Sequence, residues 1–551
     1  MPLADKVPMM FRAQIPGRCQ LQYIDKKADK SDAQIWVSEW LERAYGQPYT
    51  WHEQEQLRTQ TCQFDWRLVT NGGQDDGIIR PVIGAYGLPF YPGSSMKGAF
   101  RNACTPEQAN RYCGRELPGH DFAPGILRFH GGYPTSDRWQ KQLLDLVHPQ
   151  QDWQVKVKDT QNKPGGAFAI VSLYKPELCF AISSLEPLPD SEWQTIWGIW
   201  QQALTQGLGC RVSAGYGQPT QLPGKPFYRC FLAGQGQAST TIDDKPEFRP
   251  SMFRAALRGH ALRIFGGLTD ATTAEAAVEQ LFGGVSGTGT VGLLVMNWRT
   301  EELDIGEFQS GYGEATYDVE GSLRWFLRGN LSSTEEKALQ RFLVQLTGFS
   351  VLLGGFGKSW RRADHRLFYS QYYDGGRKPL IGCQWGWQGN SLNRDARSFQ
   401  KIERVGDFID GLRERSRDWL RSQNHPLNEA QPADWRESWH PGRVQVWGRV
   451  AEDAEDSEAI SWFHEPYQPG ETIARTDLTG KVSQVGRIWH RLYPFVRVKK
   501  VAATPKPKFV GTETTKFWEL LTIFPDDSRL AREFLDYLET ERPGGFQRLW
   551  G

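Results

Sequence analysis

Several things are scarce in this sequence, and each scarcity excludes something. The 551 residues hold eight cysteines (Cys19, Cys62, Cys104, Cys113, Cys179, Cys210, Cys230 and Cys383), and no two form a CxxC pair. That scatter argues against both a disulfide framework and a cysteine zinc site. No stretch of about 20 apolar residues occurs, and no N-terminal apolar run precedes a small-residue cleavage site. The expectation is a soluble, cytoplasmic chain with reduced thiols. No HExxH, nucleotide-binding glycine motif or nucleophile elbow is present. His130, His148 and His365 fall near the motifs described below but in no metal-binding spacing, so they read as structural hydrogen-bonding residues.

Excess charge is also missing: 65 Lys and Arg face 64 Asp and Glu. A surface for a polyanion must therefore come from local clustering of cations, not from overall excess. What is abundant is aromatic: 13% of residues, with 22 tryptophans. Most of these rings suit cores and subunit interfaces, and a few suit stacking on bases. The length predicts two to four domains.

The chain repeats itself. Residues 92–101 read PGSSMKGAFR and residues 249–258 read RPSMFRAALR. Aligning Ser94 with Ser251 superposes Lys97 on Arg254 and Arg101 on Arg258. A hydroxyl residue before an apolar-periodic run marks a helix start. In each stretch the basic pair is four residues apart, hence on one helix face, with Met96 and Phe100 free to point to the core. Further on, Trp193, Ile196, Trp197 and Trp200 form one amphipathic stripe, and Leu339, Phe342, Leu343 and Leu346 form another. Ser332 and Glu335 suit a capping box. The first of these helices runs into Gly207, Gly209 and Arg211, then Gly215-Tyr216-Gly217. The second runs into Gly354, Gly355, Gly357 and Lys358, then Arg361-Arg362.

Phe64, Trp66 and Leu68 alternate with polar residues before the first basic helix, and strand-like runs follow at 125–129 and 167–171. The order strand, helix, strands, helix, strand predicts an α+β fold of two tandem ferredoxin-like (βαββαβ) domains. The first would span 1–220 and the second 226–551, joined by a linker near 218–226. The second domain would carry a long insertion at about 380–480 and C-terminal return strands and helix. A charged helix is expected within 395–422, an exposed arm at 424–472, strands at 481–495 and 518–524, and a capped helix at 526–538. A partial third unit is an alternative reading of this region.

The stretches GLPFYPGSSMKGAFR, GLGCRVSAGYG and LLDLVHPQ resemble the RAMP superfamily, the Cas-seven-type backbone subunits of type III CRISPR effectors. The second copy is similar to another branch of that family through Arg249-Pro250-Ser251, Arg254, Arg258, Leu281-Phe282-Gly283, Gly354 to Gly357 and Arg361-Arg362. The resemblance covers residues 60–370 well and the C-terminal third poorly. After Arg362 the chain reads Ala-Asp-His where the family often has a glycine-rich stretch. The fused double form points to a variant III-D or III-B system.

The resemblance implies a guide RNA lying along successive domains, with a β-hairpin thumb from each, and crRNA, target RNA and other effector subunits, including the large polymerase-like subunit, as partners. RNA would be held by Ser94, Ser95, Lys97, Arg101, Gly207, Gly209 and Arg211 in the first copy. In the second it would be held by Ser251, Arg254, Arg258, Gly355, Gly357, Lys358, Arg361 and Arg362. Glycine loops let backbone N–H groups approach phosphates, and helix N-termini add donors. Family members that cut target RNA carry an aspartate between the first strand and the basic helix. Asp75 and Asp76 stand there in the first copy, and Asp243 and Asp244 in the second. Such a carboxylate would bind a divalent metal, Mg2+ by preference, or help deprotonate a ribose 2′-hydroxyl. Three alternatives remain: a non-catalytic scaffold, a stand-alone ribonuclease that processes guide precursors, and an unrelated small-molecule enzyme.

Overall fold

The computed structural model describes residues 30–44, 48–52, 55–75, 78–119, 121–147, 155, 168–221, 224–241, 245–284, 290–307, 315–357, 384–394, 400–480, 486–501 and 508–551. It is a mixed α+β structure organised around three antiparallel sheets.

The first sheet is built from β1 (Leu57–Gln63), β6 (Leu127–Pro134) and β9 (Glu177–Ser184), in the order β1-β9-β6. Between β1 and β6 lie the hairpin β2 (Gly73–Asp75) and β3 (Ile78–Arg80), the helices α2 (Gly93–Ala103) and α3 (Pro106–Cys113), and a ribbon of β4 (Gly114–Glu116) and β5 (Phe122–Pro124). The hairpin joins β7 (Leu144–Val147) and β8 (Phe168–Val171) in a small sheet ordered β2-β3-β8-β7. Helix α4 (Asp190–Leu204) follows β9 and buries Trp193, Ile196 and Trp200 as its stripe requires. The N-terminal helix α1 (Lys30–Arg43) adds Trp36 and Trp40 to this core.

The expected strand at 64–68 sits slightly earlier. Leu57–Gln63 forms the long strand, while Phe64, Trp66 and Leu68 are all buried. Alternation reads as one buried face only when the other face meets water, and here the chain runs between two cores. Pro219 bridges to Phe64, and the Thr220 N–H donates to the Gln63 carbonyl, where a fourth strand of this sheet would stand.

The second sheet contains β10 (Tyr228–Gln237), β11 (Leu294–Glu307), β12 (Ala315–Leu327) and β13 (Gln384–Trp387), in the order β11-β12-β10-β13. Helices α5 (Ser251–Gly266) and α6 (Ala271–Phe282) lie between β10 and β11, and α7 (Ser333–Phe349) follows β12. The capping box at Ser332 and Glu335 is formed, each side chain meeting the other residue's N–H.

The C-terminal strands form a sheet of their own. Helix α8 (Val405–Ser422) is followed by β14 (Gln445–Ala451), α9 (Glu458–Trp462), β15 (Ile488–Val501), β16 (Lys508–Ile523), α10 (Arg529–Glu541) and β17 (Gln547–Trp550). These strands pair among themselves in the order β15-β16-β14-β17. With strands numbered within each unit, the second and third sheets share the order 2-3-1-4, and the first sheet has the same order without its fourth strand. Alternating apolar residues mark a strand but do not name its partner, so this pairing was hidden in the sequence.

The segment after α8 is not an exposed arm throughout. Ala433, Trp435, Glu437, Ser438 and Trp439 are buried. Trp439 packs at 4.6 Å from the Phe349 ring and 5.7 Å from Trp550, linking the second and third units through one continuous core. Among the described residues, no helix is long and apolar enough to cross a membrane.

Candidate nucleic-acid interface

Helix α2 lies directly on β6. A Cβ at Gly93 would fall 2.1 Å from the Phe129 carbonyl oxygen, so only glycine permits this approach. The helix buries Met96 and Phe100 and leaves Ser94, Ser95, Lys97 and Arg101 exposed. One nitrogen of Arg101 donates to the Gly114 carbonyl at 2.8 Å, tying the helix to the ribbon β4–β5.

The glycine loop that follows α4 meets the start of this helix. Gly207 and Gly209 have φ of 74° and 78°. A Cβ at Gly209 would stand 2.2 Å from the Val69 carbonyl oxygen, and the Cys210 N–H donates to that carbonyl at 2.8 Å. The Gly209 backbone also hydrogen-bonds Tyr91, one residue before Pro92; burial pushes that phenol up to about 12 and the hydrogen bond opposes the rise. Burial raises the Cys210 thiol, against a hydrogen bond from Asn71 and the Arg211 charge. Asn71 begins the connection into the hairpin β2–β3. Helix start, glycine loop and hairpin base therefore converge on one side of the first unit.

Arg211 adopts a left-handed conformation (φ 60°) and sits 5.7 Å from the centre of the Tyr216 ring. Asp75 ends β2 and pairs with Ile78 across the hairpin. Asp76 lies outside the described residues, as do Asp243, Asp244, Lys358, Arg361 and Arg362.

The second copy repeats part of this arrangement. Gly355 and Gly357 again have positive φ, 70° and 86°. The Gly355 carbonyl meets Nε2 of His260 on α5 at 3.0 Å, and a Cβ at Gly354 would strike the same imidazole. Ser251 is the first residue of α5 and is partly buried. The basic pair is placed differently from Lys97 and Arg101: Arg254 and Arg258 are only 6% and 8% exposed. The Arg254 guanidinium donates to the Phe282 carbonyl at the end of α6. The reason is packing, since α5 is covered by α8, by the 433–440 segment and by the turn at 212–214. Equal spacing put both pairs on one helix face, but the neighbours decide whether that face meets water.

Two features escaped the sequence. One is a second glycine pair repeated in both copies: a Cβ at Gly125 would meet the Gly114 nitrogen at 2.5 Å, and one at Gly292 would meet the Gly283 nitrogen at 2.4 Å. In each copy an arginine from the preceding helix, Arg101 or Arg254, caps a carbonyl beside that pair. A Gly directly after each helix, Gly114 and Gly283, was the available signal. The other is a buried ionic junction between the units. Nε of Arg67 donates to Glu247 at 2.9 Å, and Trp66 donates to the same carboxylate at 2.7 Å. Arg249 pairs with Asp145 at 2.9 Å, and the Tyr216 hydroxyl donates to Asp145 at 2.6 Å. Burial, with Asp145 adding to it, pushes that phenol well above its usual range. Glu247 and Arg249 immediately precede α5, so the start of the second basic helix is docked on the first unit.

Among the described residues, no three His, Cys, Asp or Glu side chains are grouped to hold a metal ion. The described residues alone do not fit a divalent-metal centre.

No protein-family model matches this sequence, and no curated protein matches it. Among solved structures, a type III-B Cmr-beta complex bound to cognate target RNA matches with 19% identity and a TM-score of 0.23, over 30% of this chain and 57% of that one. A type IV-B CRISPR complex matches with 16% identity and a TM-score of 0.21, over 30% of this chain and 88% of that one. The chain thus spans little more than half the length of the first.

Proposed function

We propose that this chain is an RNA-binding backbone subunit of a type III CRISPR effector, in which consecutive α+β units hold consecutive stretches of a guide RNA and its target. One observation carries the reading. In the first unit the start of α2, the Gly207–Gly209 loop and the aspartate hairpin converge, and the loop element recurs against α5 at Gly355–Gly357. Backbone N–H groups at a glycine loop, donors at a helix start and the exposed Lys97 suit phosphates. Contacts of that kind fix a strand without reading its sequence, which a guide-carrying subunit requires. The partners would be crRNA, target RNA and the other effector subunits, including the large polymerase-like one, in a III-B or variant III-D system. In this reading the chain comprises three units, with residues 445–551 as the third.

Charge reversal tests it. Lys97→Glu with Arg101→Glu is expected to weaken binding of a single-stranded RNA by the full-length chain at least tenfold at 0.15 M salt, and to flatten its salt dependence by about two phosphate contacts. Fluorescence anisotropy across a salt series reads both. Unchanged affinity and slope would remove α2 from the interface.

We further propose cleavage of the target at the β2–β3 hairpin. The Asp75 or Asp76 carboxylate would take the proton of a ribose 2′-hydroxyl. The oxygen would attack its own phosphate, breaking the P–O5′ bond to form a 2′,3′-cyclic phosphate, and the departing 5′ oxygen would take a proton from water to leave as a 5′-hydroxyl strand. Asp75→Ala with Asp76→Ala is expected to abolish one cut in a complementary target while binding persists. A complete cleavage ladder from the assembled complex carrying the double variant would leave a scaffold. The same pair of changes at Asp243 and Asp244 examines the second copy.

A further inference from the structure

The connection from the aspartate hairpin to α2 holds an aromatic residue where the backbone favours none. Tyr86 has φ 58° and ψ 19°, a left-handed conformation that a bulky side chain adopts only when its surroundings impose it. Its ring is nonetheless 77% exposed. The strain therefore secures no burial.

The loop around it is over-determined. The Gly84 N–H donates to the Leu88 carbonyl at 2.8 Å, Phe90 N–H to Val82 at 3.1 Å, and Ile83 bridges to Pro89. The fully buried Trp40 donates from its indole to the Gly87 carbonyl at 2.8 Å. A Cβ at Gly87 would come within 2.9 Å of the Ala44 backbone, and one at Gly84 within 3.1 Å of the Phe90 ring. Phe90 itself is stacked on Tyr133 at 5.2 Å and 8°, and Tyr133 on Tyr49 at 4.4 Å. A rigid frame thus presents one ring to solvent. Along the connection itself, between Asp76 and Glu107, the chain carries Arg80, Lys97 and Arg101 and no acidic residue, while α1, which packs on the loop through Trp40, carries Glu39 and Glu42.

We infer that Tyr86 is a nucleobase-stacking residue, on which an unpaired base of the bound RNA lies while neighbouring phosphates are held at the start of α2. The inference rests on the RNA-binding reading above and adds to it a residue that grips a base rather than a phosphate. A flat ring suits any base, so this contact is sequence-tolerant. The cations Arg80, Lys97 and Arg101 on the same stretch of chain favour a polyanion.

The test uses the full-length chain, a labelled single-stranded oligouridine and three variants. Tyr86→Ala and Tyr86→Gly are expected to bind about 5- to 100-fold more weakly than wild type, as loss of one stacked base implies. Tyr86→Phe is expected to bind like wild type. Tyr86→Gly is also expected to melt at a higher temperature than wild type, because glycine occupies this backbone conformation without strain. Wild-type affinity in both the Ala and Gly variants would overturn the inference, and so would loss of a protein partner from Tyr86→Ala with RNA affinity intact. Failure of the wild-type chain to bind RNA at all is a separate result, and it strikes the RNA reading itself.

Discussion

Glu247→Ala is expected to loosen the junction between the first two units by about 3–5 kcal/mol. The wild-type carboxylate receives hydrogen bonds from Arg67 and from the Trp66 indole, and Arg67 is fully buried. Burial disfavours the guanidinium's charge, and Glu247, with Asp145 and Tyr216 adding to it, more than offsets that. Without Glu247 a desolvated cation remains without its main counter-charge, which costs more than the pair contributes when intact. Limited proteolysis within 218–226 reads the opening, and the cleavage rate should rise by about two to four orders of magnitude. Replacing both partners, Arg67→Met with Glu247→Leu, should restore most of the protection. A single variant cut no faster than wild type would show that other contacts hold the junction. The functional consequence is specific: the start of α5 follows Glu247 directly, so the spacing between the two glycine loops depends on this pair.

The second large effect is expected at Glu519, the hub of the third unit. It accepts hydrogen bonds from Arg449 at 2.6 Å, from His490 at 3.0 Å and from the Glu458 and Ala459 N–H groups at 3.1 and 3.0 Å, and also from the Ser457 hydroxyl. Burial alone would raise this carboxyl. The His490, Arg449 and Ser457 interactions outweigh it and hold the group at about 2, below its ordinary 4.5. A depressed folded value means stabilisation that is present above about pH 4.5 and lost as pH falls from there towards 2. It amounts to about 3 kcal/mol. Glu519→Ala should cost at least that much at neutral pH and remove this part of the acid sensitivity. Glu519→Gln, which keeps the shape and part of the hydrogen bonding, should lie between. Thermal melts of the three proteins between pH 7 and pH 3 check both statements. An alanine variant whose melting temperature still falls as steeply as wild type would place the acid-labile group elsewhere.

What the sequence made legible follows from what periodicity encodes. The stripe on α4, the capping box at Ser332 and the alternating burial of Met96 and Phe100 against Ser95 and Lys97 are local, and they stand in the structure as read. The burial of Arg254 and Arg258 was not legible, because it depends on what packs around α5: Arg254 reaches the Phe282 carbonyl at the end of α6, and α8 and the turn at 212–214 pack on the helix. The third sheet was seen only as scattered strand character. Its repeat is carried by pairing order while its sequence lacks the glycine-rich signatures that revealed the first two copies. The buried junction was invisible for a related reason: nothing local pairs Arg67 with Glu247 or Arg249 with Asp145 until the fold brings them together.

The proposed glycine-loop grip, repeated along one chain, would hold successive stretches of RNA. Hydrogen–deuterium exchange of the full-length chain, with and without a single-stranded RNA long enough to cross both units, tests it most directly. RNA-dependent slowing is expected at 91–98 and 207–211, and again at 353–357, with the distal edge of the third sheet following. Identical exchange at all three segments in the presence of saturating RNA would contradict it.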